Sequence, residues 1–181
     1  MIVSLPEVKD LCRKAVKDTG VPPMLLAAMA VCESGDRKDP ETGCDANAVR
    51  KEPQIGDESR GLVQILTRTC EEVGGDPGRL FEPLYNLEIG ARYTLVCYRY
   101  IAAPGPEDDR WLLAVAGYNC GMGRVSKALR KAPAGSHWQT VLTFLDGHPE
   151  SSTINEQITR RHVADCFRLW RQFEADEDHE A

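Results

Sequence analysis

The sequence has neither a long apolar run nor an excess of basic residues. Every side chain from Met24 to Cys32 is apolar, but this stretch is well short of the ~18 residues that span a bilayer. Lysine and arginine number 22 against 28 aspartate and glutamate, which gives a formal charge of -6. Nucleic-acid binders usually carry a basic surface. We therefore expect no membrane insertion and no nucleic-acid partner.

The N-terminal residues lack the apolar core of a signal peptide. The short segment Met1–Leu5 is followed at once by Pro6 and the charged Glu7. This pattern predicts synthesis in the cytoplasm without a cleaved signal. Release by cell lysis, inside a virion or through a dedicated secretion machine remains compatible with it.

The cysteines show no metal-binding spacing. Seven is an odd number, so the set cannot pair completely, and there is no CxxC. We expect mostly small apolar residues on helices, with Cys32 and Cys44 the nearest candidate pair for a disulfide. The oxygen-rich stretch from Asp39 to Asn47 does not follow the EF-hand order, which favours a solvated loop over a calcium site. No metal ion or organic cofactor is expected.

Apolar residues recur at helical spacing along most of the chain, which indicates a mainly α-helical fold. The predicted helices cover residues 6–19, 24–32, 61–73, 83–103, 109–118, 124–131, 138–145 and 155–173. Residues 36–60 are polar and lack an amphipathic period, so they predict a long irregular loop or a small hairpin. The sequence thus indicates one globular domain over 1–173, followed by a frayed acidic tail over 174–181.

Glu33 is the first candidate for chemistry. It follows directly on the apolar run Met24–Cys32, which predicts a helix buried on all sides. Burial disfavours the charged form of a carboxyl group and raises its pKa. A carboxylic acid that stays protonated near neutral pH can donate a proton to a leaving group. The alternative is a surface glutamate at a helix end.

Two further segments combine glycine with amide, hydroxyl and phenol groups. Residues 59–66 contain Gln64 among apolar neighbours, and Gly61 there would allow close approach of a ligand. Residues 117–123 end a buried helical stretch with Tyr118 and Asn119. Such side chains hydrogen-bond sugar hydroxyl and acetamido groups, and a tyrosine ring can stack on a pyranose.

Together and in this order, the motifs resemble the soluble-type lytic transglycosylase domain, a goose-lysozyme-like family that acts on peptidoglycan. The resemblance covers residues 20–165 and is strong because four motifs occur in sequence. They are Glu33-Ser34-Gly35, Gly61-Leu62-Val63-Gln64-Ile65, Asn86-Leu87-Glu88-Ile89-Gly90-Ala91-Arg92-Tyr93 and Ala116-Gly117-Tyr118-Asn119-Cys120-Gly121.

The chain departs from the family pattern at Val63, where methionine is usual, and at Gly117, which is an additional residue before Tyr118. It also departs in three larger respects. The segment between Glu33 and Gly61 is longer than usual. The serine that commonly follows the Asn-x-x-x element, here Asn47-Ala48-Val49-Arg50, is replaced by Lys51 or displaced, and Ser59 is the nearest hydroxyl. The family often ends with Glu-Thr-Arg-x-Tyr-Val, which here reads Ile158-Thr159-Arg160-Arg161-His162-Val163, so the usual glutamate and tyrosine are Ile158 and His162.

The resemblance implies a mainly α, lysozyme-like α+β fold and a peptidoglycan lytic transglycosylase that acts on glycan strands. Glu33 would protonate the oxygen between MurNAc and GlcNAc. As a carboxylate, it would then deprotonate the MurNAc C6 hydroxyl, which closes a 1,6-anhydro ring without water. The residues implied at the substrate are Gln64, Tyr118, Asn119, Ser59, Leu66 and Val63. A monomer is expected.

Two other functions remain open from the sequence. A muramidase would hydrolyse the same bond with a second carboxylate from residues 36–58, where the acidic candidates are Asp36, Asp39, Asp45, Asp57 and Glu58. A wall-binding or structural virion module would not need Glu33 at all. The absence of an export signal favours a phage setting, as an endolysin or a virion-associated enzyme that degrades the cell wall.

Overall fold

The structure is a computed structural model that describes residues 1–145 and 154–180. This part of the chain is mainly helical. The helices are α1 (Leu5–Ala15), α2 (Pro23–Ser34), α3 (Thr67–Glu72), α4 (Pro83–Ile101), α5 (Glu107–Cys120), α6 (Met122–Lys131), α7 (Trp138–Leu142) and α8 (Ile154–Glu180). The strands are β1 (Ile2–Val3), β2 (Cys44–Asp45), β3 (Val49–Glu52), β4 (Asp57–Arg60) and β5 (Ile65–Leu66). The expected mainly α, lysozyme-like α+β fold class is confirmed.

Helix α2 is buried on every side, as predicted. Each side chain from Met24 to Cys32 is at most 4% exposed. Pro23 fits the first helical position because it needs no intrahelical partner for a backbone N–H. The helix ends at Ser34, so Glu33 lies where the buried helix reaches its last turn.

The polar stretch over 36–60 contains the small hairpin that the sequence allowed. Strands β3 and β4 pair in antiparallel register from Val49 opposite Arg60 to Glu52 opposite Asp57. Strand β5 adds to β4, with Ser59 opposite Leu66. The three-stranded sheet β3-β4-β5 therefore lies between α2 and α3 in the chain.

The prediction of a helix over 61–73 is wrong for its first half, since α3 begins only at Thr67. Gly61 and Gln64 adopt left-handed backbone conformations, with φ angles of 78° and 49°. A right-handed helix cannot pass through such residues. The buried apolar residues of this stretch belong to an irregular turn and to the short strand β5. Periodicity alone did not distinguish a turn and a strand from a helix.

The acidic tail is helical rather than frayed. Helix α8 continues through residues 174–180, and Ala181 lies outside the described residues. Lys9 of α1 pairs with Asp176 at 3.7 Å, and Arg13 hydrogen-bonds Glu177. These ion pairs attach the tail to α1 and explain why its acidic composition does not prevent order.

The described residues form two compact units. The first contains residues 1–93 and the described residues from Cys166 onward, and the second contains Thr94–Asp165. In the first, the C-terminal part of α8 buries Cys166, Leu169, Trp170 and Phe173. In the second, Trp111 stacks on Tyr98 with ring centroids 4.0 Å apart. The domain limits drawn from the sequence, 1–173, stay a prediction.

The cysteines behave mostly as small apolar residues. All seven are free thiols, and only Cys120 is partly exposed. Cys32 and Cys44, the pair considered for a disulfide, are therefore not bridged. Burial raises the pKa of Cys44 to about 12, so its thiol stays protonated at neutral pH. None of the helices described here is both long and apolar enough to cross a membrane.

Candidate active site

Glu33 is a buried carboxyl group whose pKa lies near neutrality. Its side chain is 6% exposed. Burial raises the pKa of Glu33 from 4.5 to about 7, against the opposing effect of Arg50 and Arg37, while the negative charge of Glu52 raises it further. Near neutral pH the group therefore exists in both protonation states, as a residue that serves as acid and then as base requires.

Ser34 ties the end of α2 to the segment that contains the second motif. Its hydroxyl donates a hydrogen bond to the backbone carbonyl of Leu62 at 2.8 Å. The bond connects residues that are far apart in the chain. It thereby fixes the last turn of α2, and Glu33 with it, against residues 61–65.

Asn86 holds the same segment from the opposite side. It is fully buried on α4. Its oxygen accepts a hydrogen bond from the Val63 amide, and its nitrogen donates to the carbonyls of Arg60 and Leu80, all at 2.9 Å. A Cβ atom at Gly61 would lie 2.3 Å from the Asn86 side-chain nitrogen, so this contact requires glycine. Sequence reasoning included Asn86 in a motif but assigned it no role.

Gln64 and Ser59 form a buried polar pair that closes the hairpin. The Ser59 hydroxyl donates to the Gln64 side-chain oxygen at 3.0 Å. The Gln64 nitrogen donates to the carbonyls of Ala48 at 3.0 Å and Gly61 at 2.9 Å. The polar atoms of Gln64 are thus occupied within the protein. The predicted contact of Gln64 and Ser59 with a sugar stays a prediction.

The two apolar residues expected at the substrate differ in burial. Val63 is fully buried, and a Cβ atom at Gly90 would approach its Cγ2 to 2.5 Å. Val63 therefore packs in the core, in contrast to the expected lining role. Leu66 in β5 keeps part of its surface exposed. The glycine in the α4 motif is explained by this close packing of Val63.

The hairpin brings a cation to Glu33 that the sequence reasoning missed. The Arg50 guanidinium lies 3.7 Å from the Glu33 carboxyl group. Lys51, considered from the sequence at the place of the family serine, follows Arg50 in β3. Because successive side chains of a strand point to opposite faces, the two cannot share a face. Strand alternation could have suggested this, but the strand was not assigned from the sequence.

Arg37 contributes a second positive charge, and it is anchored to the main chain. Its side chain donates to the Cys32 carbonyl from Nε at 3.1 Å and from Nη2 at 2.8 Å. The Arg37 carbonyl accepts in turn from Arg168 of α8 at 2.7 Å. Arg37 therefore caps the end of α2, and its fixed charge lies at the carbonyl of Cys32, the residue that precedes Glu33.

Tyr118 and Asn119 belong to the second unit, near the end of α5. Both are partly exposed. The Asn119 side-chain oxygen accepts from the Thr159 hydroxyl at 2.8 Å. A Cβ atom at Gly117 would lie 2.8 Å from Ile101, so the additional glycine in this motif allows close helix packing. Contacts of Tyr118 and Asn119 with substrate stay predictions.

The acidic residues of 36–58 that could support hydrolysis are mostly engaged elsewhere. Asp45 accepts from the N-terminal ammonium group, Asp57 from Thr67, and Glu58 pairs with Arg60. Glu52 is the carboxylate in this range whose charge acts on Glu33. Within residues 1–145 and 154–180, no three His, Cys, Asp or Glu side chains converge in a metal-binding arrangement.

Comparison with known proteins connects this geometry to a family. Residues 10–141 match the family described as "Transglycosylase SLT domain". "Membrane-bound lytic murein transglycosylase F" of Marinobacter nauticus is 32% identical over 145 residues, which are 78% of this chain and 26% of that protein. "Membrane-bound lytic murein transglycosylase F 2" of Alkalilimnicola ehrlichii is 31% identical over 128 residues, 71% and 25% of the two chains.

A third relative, "Membrane-bound lytic murein transglycosylase F" of Alcanivorax borkumensis, is 28% identical over 141 residues, or 76% of this chain and 27% of that protein. The chain thus spans about a quarter of the length of these curated relatives. The family match covers well over half of the chain, including the motifs of α2, the hairpin, α4 and α5. The chain belongs to the transglycosylase SLT domain family.

Proposed function

We propose that the protein is a peptidoglycan lytic transglycosylase that cleaves the β-1,4 bond between MurNAc and GlcNAc. The observation that carries this proposal is Glu33, a buried carboxyl group with a pKa of about 7. It lies in a chain of the transglycosylase SLT domain family. The names of three bacterial relatives, which call them lytic murein transglycosylases, support the same activity.

In the first step, protonated Glu33 donates its proton to the glycosidic oxygen. The bond from MurNAc C1 to that oxygen breaks, and the GlcNAc-terminated chain leaves with a new hydroxyl group. The acetamido group of MurNAc stabilises the positive charge at C1. Glu33 is then a carboxylate beside the cation of Arg50.

In the second step, the Glu33 carboxylate removes the proton from the C6 hydroxyl of the same MurNAc. Oxygen O6 bonds to C1 and closes a 1,6-anhydro ring. Glu33 regains the proton that it donated, so the cycle balances without water. The two steps need one residue that is acid and base in turn, and a pKa near 7 suits both roles.

The remaining residues of the site divide into three groups in this proposal. Ser34 and Asn86 hold the segment beside Glu33 through their hydrogen bonds. Leu66, Tyr118 and Asn119 bind the glycan, and each retains exposed surface. Ser59 and Gln64 shape the hairpin and contact sugar only through atoms that can accept a further hydrogen bond. The two steps use no metal ion or organic cofactor.

The biological setting is a separate part of the proposal. The relatives compared here come from bacteria and carry names that place them at a membrane. The phage setting expected from the sequence, an endolysin or a virion-associated enzyme, stays a prediction. Lysis of cells when the chain is expressed together with a pore-forming partner would support a lysis role.

A muramidase that uses Glu52 is the second candidate. Its charge acts on Glu33, so a carboxylate at this place could activate a water molecule. Gln54 donates a hydrogen bond to Glu52 at 2.8 Å and holds its orientation. If Glu52 is the base, Glu52→Gln abolishes activity and the wild-type products carry reducing ends.

The test is digestion of purified peptidoglycan followed by mass spectrometry of the soluble products. We expect anhydro-muropeptides, each lighter than a hydrolysis product by one water. Glu33→Gln abolishes them, whereas Glu41→Gln, which changes an exposed glutamate, retains them. Reducing-end products would refute the transglycosylase. Products that persist in Glu33→Gln would refute the role of Glu33, and binding without products would indicate a wall-binding module.

A further inference from the structure

The contact between Arg50 and Glu33 joins an exposed cation to a buried acid. The Arg50 side chain is 55% exposed, and the Glu33 side chain is 6% exposed. Their closest atoms, Nη1 and Oε2, are 3.7 Å apart. That distance is longer than a hydrogen bond, so the Arg50 guanidinium can still move closer to the Glu33 carboxyl group and form one. A long side chain on a hairpin strand can make this small movement without a change in the backbone.

Arg37 offers a useful contrast because its guanidinium is bound to the main chain. It makes two hydrogen bonds to the Cys32 carbonyl. Its positive charge is therefore present beside Glu33 in every protonation state. Within residues 1–145 and 154–180, the Arg50 guanidinium has no comparable anchor beyond its approach to Glu33. Of the two cations, Arg50 is the one able to respond to the charge of Glu33.

We propose that Arg50 is a positioning residue that closes on Glu33 when the first proton transfer leaves a carboxylate. It withdraws when Glu33 takes up the proton of the C6 hydroxyl. The guanidinium thus stabilises the charge that exists only between the two steps. This proposal rests on the function proposed above, and it assigns to the hairpin a role in the chemistry rather than in glycan binding alone.

Other charged and titratable groups also act on Glu33, and the test must separate them from Arg50. Arg37 follows α2, Glu52 shares the face of β3 with Arg50, and the thiol of Cys166 on α8 lies within electrostatic range. Burial raises the pKa of Cys166 strongly, so this thiol stays neutral. Removal of Arg50 leaves the other groups in place. A change that appears in Arg50→Ala is therefore due to this cation.

The direct test is titration of Glu33 by NMR in protein labelled with 13C-glutamate, with the resonance assigned by its loss in Glu33→Gln. An ion pair at about 4 Å in a water-like dielectric changes an equilibrium roughly fivefold. We expect Arg50→Ala to lower the acid dissociation constant of Glu33 by about that factor, which raises its pKa. Arg50→Lys restores most of the difference. Lys51→Ala, the matched control on the opposite face of β3, leaves the titration unchanged.

Kinetics on peptidoglycan provide the second readout. We expect kcat of Arg50→Ala to fall about fivefold, with KM nearly unchanged, because Arg50 acts on a charge formed during the reaction. The alkaline limb of the kcat profile moves to higher pH. Salt reduces kcat of the wild type more than kcat of Arg50→Ala, since an exposed ion pair is screened.

The proposal is overturned if Arg50→Ala and Lys51→Ala give the same Glu33 titration. It is also overturned if Arg50→Ala raises KM and leaves kcat intact, which would make Arg50 a substrate-binding residue. The titration does not depend on activity. An unchanged titration in an active enzyme refutes the role of Arg50 alone, whereas a shifted titration in a protein that does not cleave peptidoglycan refutes the proposed function.

Discussion

Burial of Glu33 predicts a stability change that depends on pH. The pKa of Glu33 is about 7 in the folded state, and its ordinary value is 4.5. The folded state therefore holds this proton more tightly than the unfolded chain. The resulting stability is fully present below about pH 4.5 and is lost as pH rises through about 7. The difference between the two pKa values corresponds to about 3 kcal/mol.

Glu33→Gln removes the ionisation and keeps the shape of the side chain. We expect the free energy of unfolding of Glu33→Gln, relative to wild type, to increase by about 3 kcal/mol between about pH 4 and about pH 8.5. Urea denaturation followed by tryptophan fluorescence measures it. Glu41→Gln serves as the control, because its exposed carboxylate is solvated in both states. A difference that is constant with pH would refute the assignment of a buried, proton-binding Glu33.

Three other substitutions test the support around Glu33. Asn86→Ala leaves three backbone groups without their buried partner and should lower the free energy of unfolding by about 3–5 kcal/mol in denaturant titration. Gly90→Ala forces a methyl group against Val63 and should cost about 1–3 kcal/mol, with recovery in the Gly90→Ala/Val63→Ala double variant. Ser34→Ala loses the hydrogen bond to Leu62 and should lower the free energy of unfolding by about 1 kcal/mol. Its loss of peptidoglycan cleavage should exceed what the lower stability explains. Equal activity per folded molecule would contradict the positioning role of Ser34.

Helical periodicity and apolar runs predicted most of the fold. The stretch Met24–Cys32 is apolar at every position, and only a helix buried on all sides satisfies such a pattern at that length. The position of Glu33 after this run made it a candidate for an acid with a raised pKa, with a surface glutamate as the alternative. These inferences succeed because a run of consecutive apolar residues indicates burial directly, without knowledge of residues distant in the chain.

The sequence was less informative where tertiary hydrogen bonds override local preference. Gln64 has a left-handed backbone conformation, and its side chain donates hydrogen bonds to the carbonyls of Gly61 and Ala48. No local sequence pattern predicts this arrangement. Val63 was expected at the substrate from its place in a motif. In the structure it packs in the core against Gly90, where a larger residue would leave it no room. Such residues are determined by partners distant in the chain.

The position of Arg50 shows the same limit for the candidate site. The sequence suggested that Lys51 had replaced a family serine, because Lys51 occupies the position of that serine when residues are counted along the chain. Strand register decides which side chain faces Glu33, and register depends on the pairing of β3 with β4. A shift of the register by one residue would place Lys51 instead of Arg50 on the face towards Glu33. The sequence did not distinguish these two arrangements because the strand was not assigned.

In the proposed mechanism, Glu33 cleaves the glycan without consuming water. Digestion of purified peptidoglycan in 18O-labelled water tests it most directly. If the C6 hydroxyl attacks, the wild type forms soluble muropeptides that carry no 18O at MurNAc C1 and end in a 1,6-anhydro ring, and these products are absent with Glu33→Gln. Products with 18O at C1 would contradict it, since they would show that water rather than the C6 hydroxyl attacks.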